Sequence, residues 1–185
     1  MGIQKLNLYL KIKNTMSQLD DKTVIYDRHV AFYGGALSNF YPCTINKDGR
    51  TYISSEQGFM ASKALYFEDE DTFNEIMAST TPSQAKKLGR RVKGYDDQAW
   101  SEVREGYMYD IVKQKFLQNQ ELKEFLLNEY FNNRHFVEGS PIDYVWGVGI
   151  DYDDESIDKE ENWRGTNLLG KILDRVREEI LNEEN

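Results

Sequence analysis

The chain has 185 residues, 39% of them hydrophobic and 13% aromatic, enough for one compact domain with a substantial core. Its 32 acidic against 23 basic residues give a net charge of −9, which disfavours a broad footprint on duplex DNA. A single cysteine and two histidines exclude an internal disulfide, a CxxC site and a His-rich zinc centre.

No apolar run approaches the ~20 residues of a membrane span, and the N-terminal MGIQKLNLYLKIKN alternates polar and apolar residues unlike a signal peptide. A soluble protein of a reducing, cytoplasmic compartment is expected, with no membrane association, metal, cofactor or obligate protein partner. In chain order, Leu6, Leu8, Leu10 and Ile12 alternate as in a strand, and TVIYDRHVAFYGG is β-branched and aromatic up to its Gly-Gly break. Residues 44–53, TINKDGRTYI, read as a hairpin turning at Lys47-Asp48-Gly49. Ser54, with Gln57 three residues on, forms a capping box that starts a helix.

Thr81-Pro82 opens a second helix, running to Gly89 or beyond. Asp96 or Asp97 caps a long helix with Trp100, Val103, Tyr107, Ile111 and Phe116 along one stripe. A shorter helix, ELKEFLLN, follows, and residues 135–150 return to extended pieces broken by Gly and Pro. A final helix buries Leu168, Leu169, Ile172, Leu173, Val176 and Ile180. The fold class is mainly α (α+β), a helical domain with a small β element. The run DYDDESIDKEEN, residues 151–162, has the acidic spacing of a calcium loop, but Ser156 replaces the turn glycine and Asn162 the closing glutamate. It reads as a solvated acidic loop.

The first helix carries an anomaly. Stepping ~100° per residue puts Glu56, Met60, Lys63 and Phe67 on one stripe, which places two charges where a core face is expected. One reading is structural: Glu56 complements the helix dipole and Lys63 snorkels over Met60. The other is chemical. The two Cα atoms are ~10 Å apart along the axis, and a long amine leaning toward the N-terminus can converge with the carboxylate. In a dry site the lysine pKa falls and the carboxyl pKa rises, giving a nucleophilic amine and a proton donor.

Two later segments also mix turn-forming and site-like residues. In SPIDYVWGVG, Asp143 and Trp146 suit either a turn with a core ring or a carboxylate-plus-ring site. In WRGTNLLG, Arg164, Gly165 and Asn167 stand where the last helix begins, as a cap or as donors to a phosphate or sugar hydroxyl. The cations of KKLGRRVKG, residues 86–94, read as ordinary partners of a helix C-terminus.

Five segments in one order, ALSNFYP, SSEQGFMASKA, the run from SQAKKLGR to WSEVREGYM, VEGSPIDYVWGVG and RGTNLLGKIL, resemble the YbiA-like, or NADAR, family of N-glycosidases. The resemblance implies one mostly helical domain over 1–185, with 1–28 as an extension without a counterpart and 151–162 as a long acidic insertion. It implies cleavage of a ribose C1–N bond without a metal, on ADP-ribose attached to guanine or on phosphorylated ribosylamino intermediates of riboflavin synthesis. Lys63 matches the family's Schiff-base lysine, and Glu56 its proton-handling glutamate. Trp100, Asp143 and Trp146 match pocket positions, and Asn39, Phe40 and Asn167 further substrate contacts. Recognition of ADP-ribose or a nucleotide without cleavage is the non-catalytic alternative. The net charge favours a small ligand or a guanine presented in single-stranded nucleic acid over an extended duplex.

Overall fold

The computed structural model describes residues 22–184. The strand expected at residues 6–12 lies outside them, as does most of the N-terminal extension.

TVIYDRHVAFYGG forms two strands, because Tyr26-Asp27-Arg28 turns the chain between them. These are β1 (Thr23–Ile25) and β2 (His29–Phe32), paired antiparallel with Thr23 opposite Phe32. The expected hairpin is present as β3 (Ile45–Lys47) and β4 (Arg50–Tyr52). Its turn needs positive φ at two successive residues, and Asp48 (51°) and Gly49 (73°) supply it.

Helices α1 (Ser55–Tyr66), α2 (Glu70–Met77), α3 (Pro82–Gly89), α4 (Asp97–Gln118) and α5 (Gln120–Leu126) follow. Then come β5 (His135–Glu138) and the terminal helix α6 (Leu168–Glu184). Helix α2 is an element that the sequence reading did not single out. Its start is fixed by Asp69, whose carboxylate accepts from the Thr72 N–H at 3.1 Å.

The capping box at α1 is modified. Ser54 Oγ accepts from the Gln57 N–H at 3.1 Å, while Gln57 Oε1 accepts from the Ile53 N–H at 2.9 Å, one residue before the cap. The Gln57 amide reaches on to the Ile76 and Ser79 carbonyls, tying α1 to the end of α2. Asp96 caps α4 by accepting from the Ala99 N–H at 2.7 Å. Two close approaches lock α1 into the bundle. A Cβ on Gly58 would stand 2.6 Å from Ile111 of α4, and one on Gly89 of α3 would stand 2.1 Å from Met60.

β5 pairs parallel with β2, which places β2 between β1 and β5. Both faces of this sheet are covered, which is why HVAF is wholly buried. Val30, Phe32 and Phe136 point into the helical core with Phe59, Ile111, Phe116, Leu169 and Val176. Ala31 and Val137 face a smaller cluster with Val148, Ile150 and Ile157.

That second cluster corrects the expectation for residues 151–162. The segment is no solvated loop: it forms two 3-10 turns, Glu155–Asp158 and Glu160–Asn162, around a fully buried Ile157. Asp158 accepts from the Arg28 N–H, its Oδ1 lies 3.0 Å from the buried His29 Nδ1, and Trp163 Nε1 donates to the Ile157 carbonyl. Net acidity and burial coexist because most of the carboxylates are exposed, while Ile157 points in and Asp158 turns to the buried His29.

Candidate active site

Three segments meet around a cleft of about 430 Å³. The loop after β2 supplies Tyr33, Gly34, Ser38 and Phe40, α3 and its C-cap supply Lys86 and Arg90, and β5 with its following loop supplies Glu138, Ser140, Ile142 and Asp143.

Each wall is fixed from behind. Lys115 of α4 is buried, and its ammonium donates to the Ala36 and Ser38 carbonyls at 2.6 and 2.8 Å, which pins the first loop. The Asn39 carbonyl then accepts from the Glu56 N–H at 3.0 Å, joining that loop to the start of α1. Asn167, in a left-handed conformation at φ 53°, accepts from the Glu138 N–H and donates to the Phe136 carbonyl. It therefore holds the end of β5 against α6. Lys86 on α3 and Arg90, the residue capping its C-terminus four positions on, face the cleft together.

The electrostatic centre is a group of carboxyls. Glu56 is buried and its Oε1 has no protein hydrogen-bond partner. Burial pushes its pKa up to about 7; Lys86 pulls against this, Asp143 adds to it and Arg90 opposes it. Glu56 is not itself among the residues lining the cleft; its N–H bond to the Asn39 carbonyl sets it behind the loop that supplies Ser38 and Phe40. Glu138 keeps part of its surface open, while its Oε2 is sealed without a partner. Its pKa is pushed up to about 8 by burial first and then by Asp143 and Glu56, with Lys86 opposing. Asp143 Oδ1 accepts from the Val145 and Trp146 N–H groups at 2.9 and 2.8 Å. Asp143 forms the expected turn and also lines the cleft, while Trp146 does not line it.

Lys63 lies behind the cationic wall. Its half-buried amine donates to the Gly89 carbonyl at 3.0 Å and sits 3.9 Å from the centroid of the Tyr95 ring. Desolvation holds its pKa below the usual lysine range, opposed by Asp97. Glu56 and Lys63 form no ion pair with each other. The α1–α3 contact at Met60 and Gly89 offers the amine a carbonyl on a neighbouring helix, so the amine goes there instead of back along its own. Gly89 precedes Arg90, which lines the cleft, so the amine and the cleft flank the same turn of α3.

The other candidates divide. Phe40 lines the cleft under the Lys86 ammonium, 5.3 Å from its ring centroid. Asn39 is buried with its amide on Met108 Sδ, and its Oδ1 has no partner. Trp100 is only 4% exposed; it stacks on Tyr107 and packs on Phe59 within the core cluster. Trp146 is partly buried, edge-on to the other side of Phe59 at 5.2 Å. Neither indole is among the residues lining the 430 Å³ cleft, whose aromatic surfaces are Tyr33 and Phe40.

Arg164 is exposed, and its N–H donates to the Val148 carbonyl. Gly165 is a packing glycine, since a Cβ there would stand 2.3 Å from the Gly147 carbonyl oxygen. Arg164 and Gly165 therefore brace the β5 loop, and Asn167 does so through its side chain.

Sequence reasoning missed Glu138, Lys86 and Arg90. Signals existed: an acidic residue ending an apolar strand just before Gly139-Ser140-Pro141, and two cations spaced i, i+4 on a helix. No group of three or more potential metal ligands occurs among the described residues, and no described helix is long and apolar enough to cross a membrane.

Comparison with known proteins matches residues 26–181 to the family model described as the NADAR domain. Protein irg-1 of Caenorhabditis elegans is 36% identical over 179 residues, covering 87% of this chain and 82% of that protein. N-glycosidase R617 of Acanthamoeba polyphaga mimivirus is 34% identical, covering 83% of this chain and 96% of that one. The solution structure of the E. coli protein YbiA superposes with a TM-score of 0.70 at 30% identity, covering 90% of this chain and 92% of that one.

Proposed function

Because the chain belongs to the NADAR family, we propose that it is an N-glycosidase that hydrolyses a bond between ribose C1 and a nitrogen through an imine on Lys63. The observation that carries this reading is a half-buried lysine amine on the Gly89 carbonyl, next to the cleft-lining Arg90, in a fold that leaves the buried Glu56 and the cleft-lining Glu138 each with one oxygen without a partner. The mimiviral relative is named an N-glycosidase, which supports the reaction class.

The chemistry follows from the side chains. A neutral Lys63 amine can keep its bond to the Gly89 carbonyl and still present a lone pair. That lone pair attacks C1 as the C1–N bond breaks; the bond's electrons leave with the base, which takes up a proton. Loss of a proton from the new C–N linkage and ring opening at the ribose ring oxygen give an imine. Water then adds to C1, the amine departs and the ribose aldehyde is released. Two easier steps replace one hard displacement. Glu56 acts in these proton transfers.

The substrate we infer is ADP-ribose carried on guanine, with Lys86 and Arg90 as natural partners for its diphosphate. A phosphorylated ribosylamino pyrimidine is the second reading, favoured by a cleft volume of about 430 Å³, near the small end for ligand sites. Product analysis with an ADP-ribosylated guanosine oligonucleotide and a ribosylamino-pyrimidine phosphate separates the two. Borohydride added during turnover should leave the ribosyl part attached to Lys63, visible in peptide mass spectra. Lys63→Arg, whose guanidinium stays protonated, should abolish both trapping and turnover. Normal turnover by Lys63→Arg, or an adduct on another lysine, would overturn the assignment of Lys63 as the nucleophile.

A further inference from the structure

The Lys63 amine has two partners of different kinds. Gly89, at the end of α3, offers its carbonyl at 3.0 Å, and the Tyr95 ring presents its face with the centroid 3.9 Å away. Tyr95 stands in the short connection between α3 and α4, just after Gly94, which turns the chain at φ 68°.

Burial does not account for this ring. It is 43% exposed, and its aromatic neighbour is Phe67, met edge-on at 5.4 Å. Its hydroxyl is held instead, donating at 2.6 Å to Oδ1 of Asp97, the first residue of α4. The ring is thus anchored at one end to α4 and faces, with its π-system, an amine carried by α1.

The donors on nitrogen give this arrangement its meaning. An ammonium has three N–H donors, whereas a neutral amine has two and a lone pair. A carbonyl oxygen and the negative face of an aromatic ring both attract N–H and repel a lone pair. With one N–H on Gly89 and the other on Tyr95, the lone pair of the neutral amine takes the one direction left. Without the ring, Gly89 alone restrains rotation about the Cε–Nζ bond, and the lone pair can exchange places with an N–H. The ring also attracts the ammonium, so the nitrogen keeps its place in both protonation states.

We propose that Tyr95 is a positioning residue, whose Asp97-anchored ring holds the Lys63 amine with its lone pair directed away from ring and carbonyl and free for ribose C1. The contact stands on geometry alone; its use in turnover rests on the reading of Lys63 as the nucleophile of an N-glycosidase.

Nuclear magnetic resonance of the full chain with ¹³C-labelled lysine reads the contact without any substrate. The Lys63 ε-CH₂ signal, assigned by its loss in Lys63→Arg, should be shifted upfield by the Tyr95 ring current. It should move downfield in Tyr95→Leu, which keeps bulk but has no π-face, and much less in Tyr95→Phe, which keeps the face and loses the Asp97 anchor. A Lys63 signal indifferent to Tyr95→Leu overturns the contact.

Turnover reads the positioning. Tyr95→Leu should lower kcat, and the rate of borohydride trapping on Lys63, by roughly 10–10²-fold with little change in KM, and Tyr95→Phe should recover most of the loss. A merely structural ring would shift the melting temperature and leave kcat alone. Wild-type kcat in Tyr95→Leu, or a Tyr95→Phe as slow as Tyr95→Leu, overturns the role of the ring face. If the wild type cleaves neither ribosyl substrate, or its adduct maps to another lysine, the Lys63 reading falls and the role in turnover falls with it, while the ε-CH₂ shift still decides the contact. If the wild type is trapped on Lys63 and Tyr95→Leu is trapped as fast, the positioning role falls by itself.

Discussion

Two regions of this molecule treat the same side chain in opposite ways. In the cleft, Glu138 is isolated from hydrogen-bond donors at Oε2, and its pKa rises to about 8. On α6, Glu179 accepts from the Tyr109 hydroxyl, from Lys113 at 2.9 Å and from Arg175 at 3.2 Å, and these contacts lower its pKa to about 2. The difference is one of solvation and partners: donors stabilise the charged form, and a dry wall without donors stabilises the neutral one. A fold that readily ties one glutamate into an α4–α6 strut leaves two others unpaired beside a cavity. Unpaired buried carboxyls destabilise a protein, so their presence marks a site shaped for a ligand or a proton transfer.

The largest expected effect tests the cleft side. Glu56→Gln keeps volume and hydrogen-bonding capacity but removes the exchangeable proton, so kcat should fall by roughly 10²–10⁴-fold while binding of substrate changes little. Steady-state kinetics on the substrate identified by product analysis checks it, and an unaltered kcat would remove Glu56 from the chemistry.

Stability against pH should separate the two regions next. The folded pKa values of Glu56 and Glu138, about 7 and about 8, lie above the ordinary 4.5. The native state therefore holds more protons than the unfolded state as pH rises from about 4.5, and stability declines across that window until about pH 8. Denaturant unfolding at a series of pH values should show this decline in the wild type and a flatter profile in Glu138→Gln. Equal slopes would mean that the cleft carboxyls ionise freely.

The smallest effect belongs to Glu179. Its depressed pKa contributes stability that is present above the unfolded value near 4.5 and lost as pH falls through about 2. Glu179→Gln should melt slightly below the wild type at neutral pH, and the gap should close by pH 2. The contribution is small because the surrounding charges are partly exposed and screened. A gap that persists at pH 2 would assign the contact to packing instead of charge.

Much of this architecture is written locally. Ser54 with Gln57, Thr81 with Pro82, and Asp96 each mark a helix start by a capping geometry that needs no distant residue, and Lys47-Asp48-Gly49 marks the hairpin by its positive φ. The stripe of Glu56 and Lys63 on α1 was legible for the same reason, since helical periodicity fixes which residues share a face. The chemistry expected from that stripe was not legible in detail. Helix α3, brought within contact at Met60 by the absence of a side chain on Gly89, takes the Lys63 amine.

What the sequence determined by itself is therefore five of the six described helices, the hairpin and two of the charged residues, through short-range capping, turn chemistry and period. Only the tertiary structure decided who stands opposite whom. It brought Glu138 from β5 and Lys86 and Arg90 from α3 and its C-cap to one cleft, drew Trp100 into an aromatic core cluster, and packed Ile157 beneath an acidic segment. Those pairings join residues far apart in the chain. A carboxyl's protonation depends on what surrounds it after folding, because burial and neighbouring charges, not chain position, set its free energy.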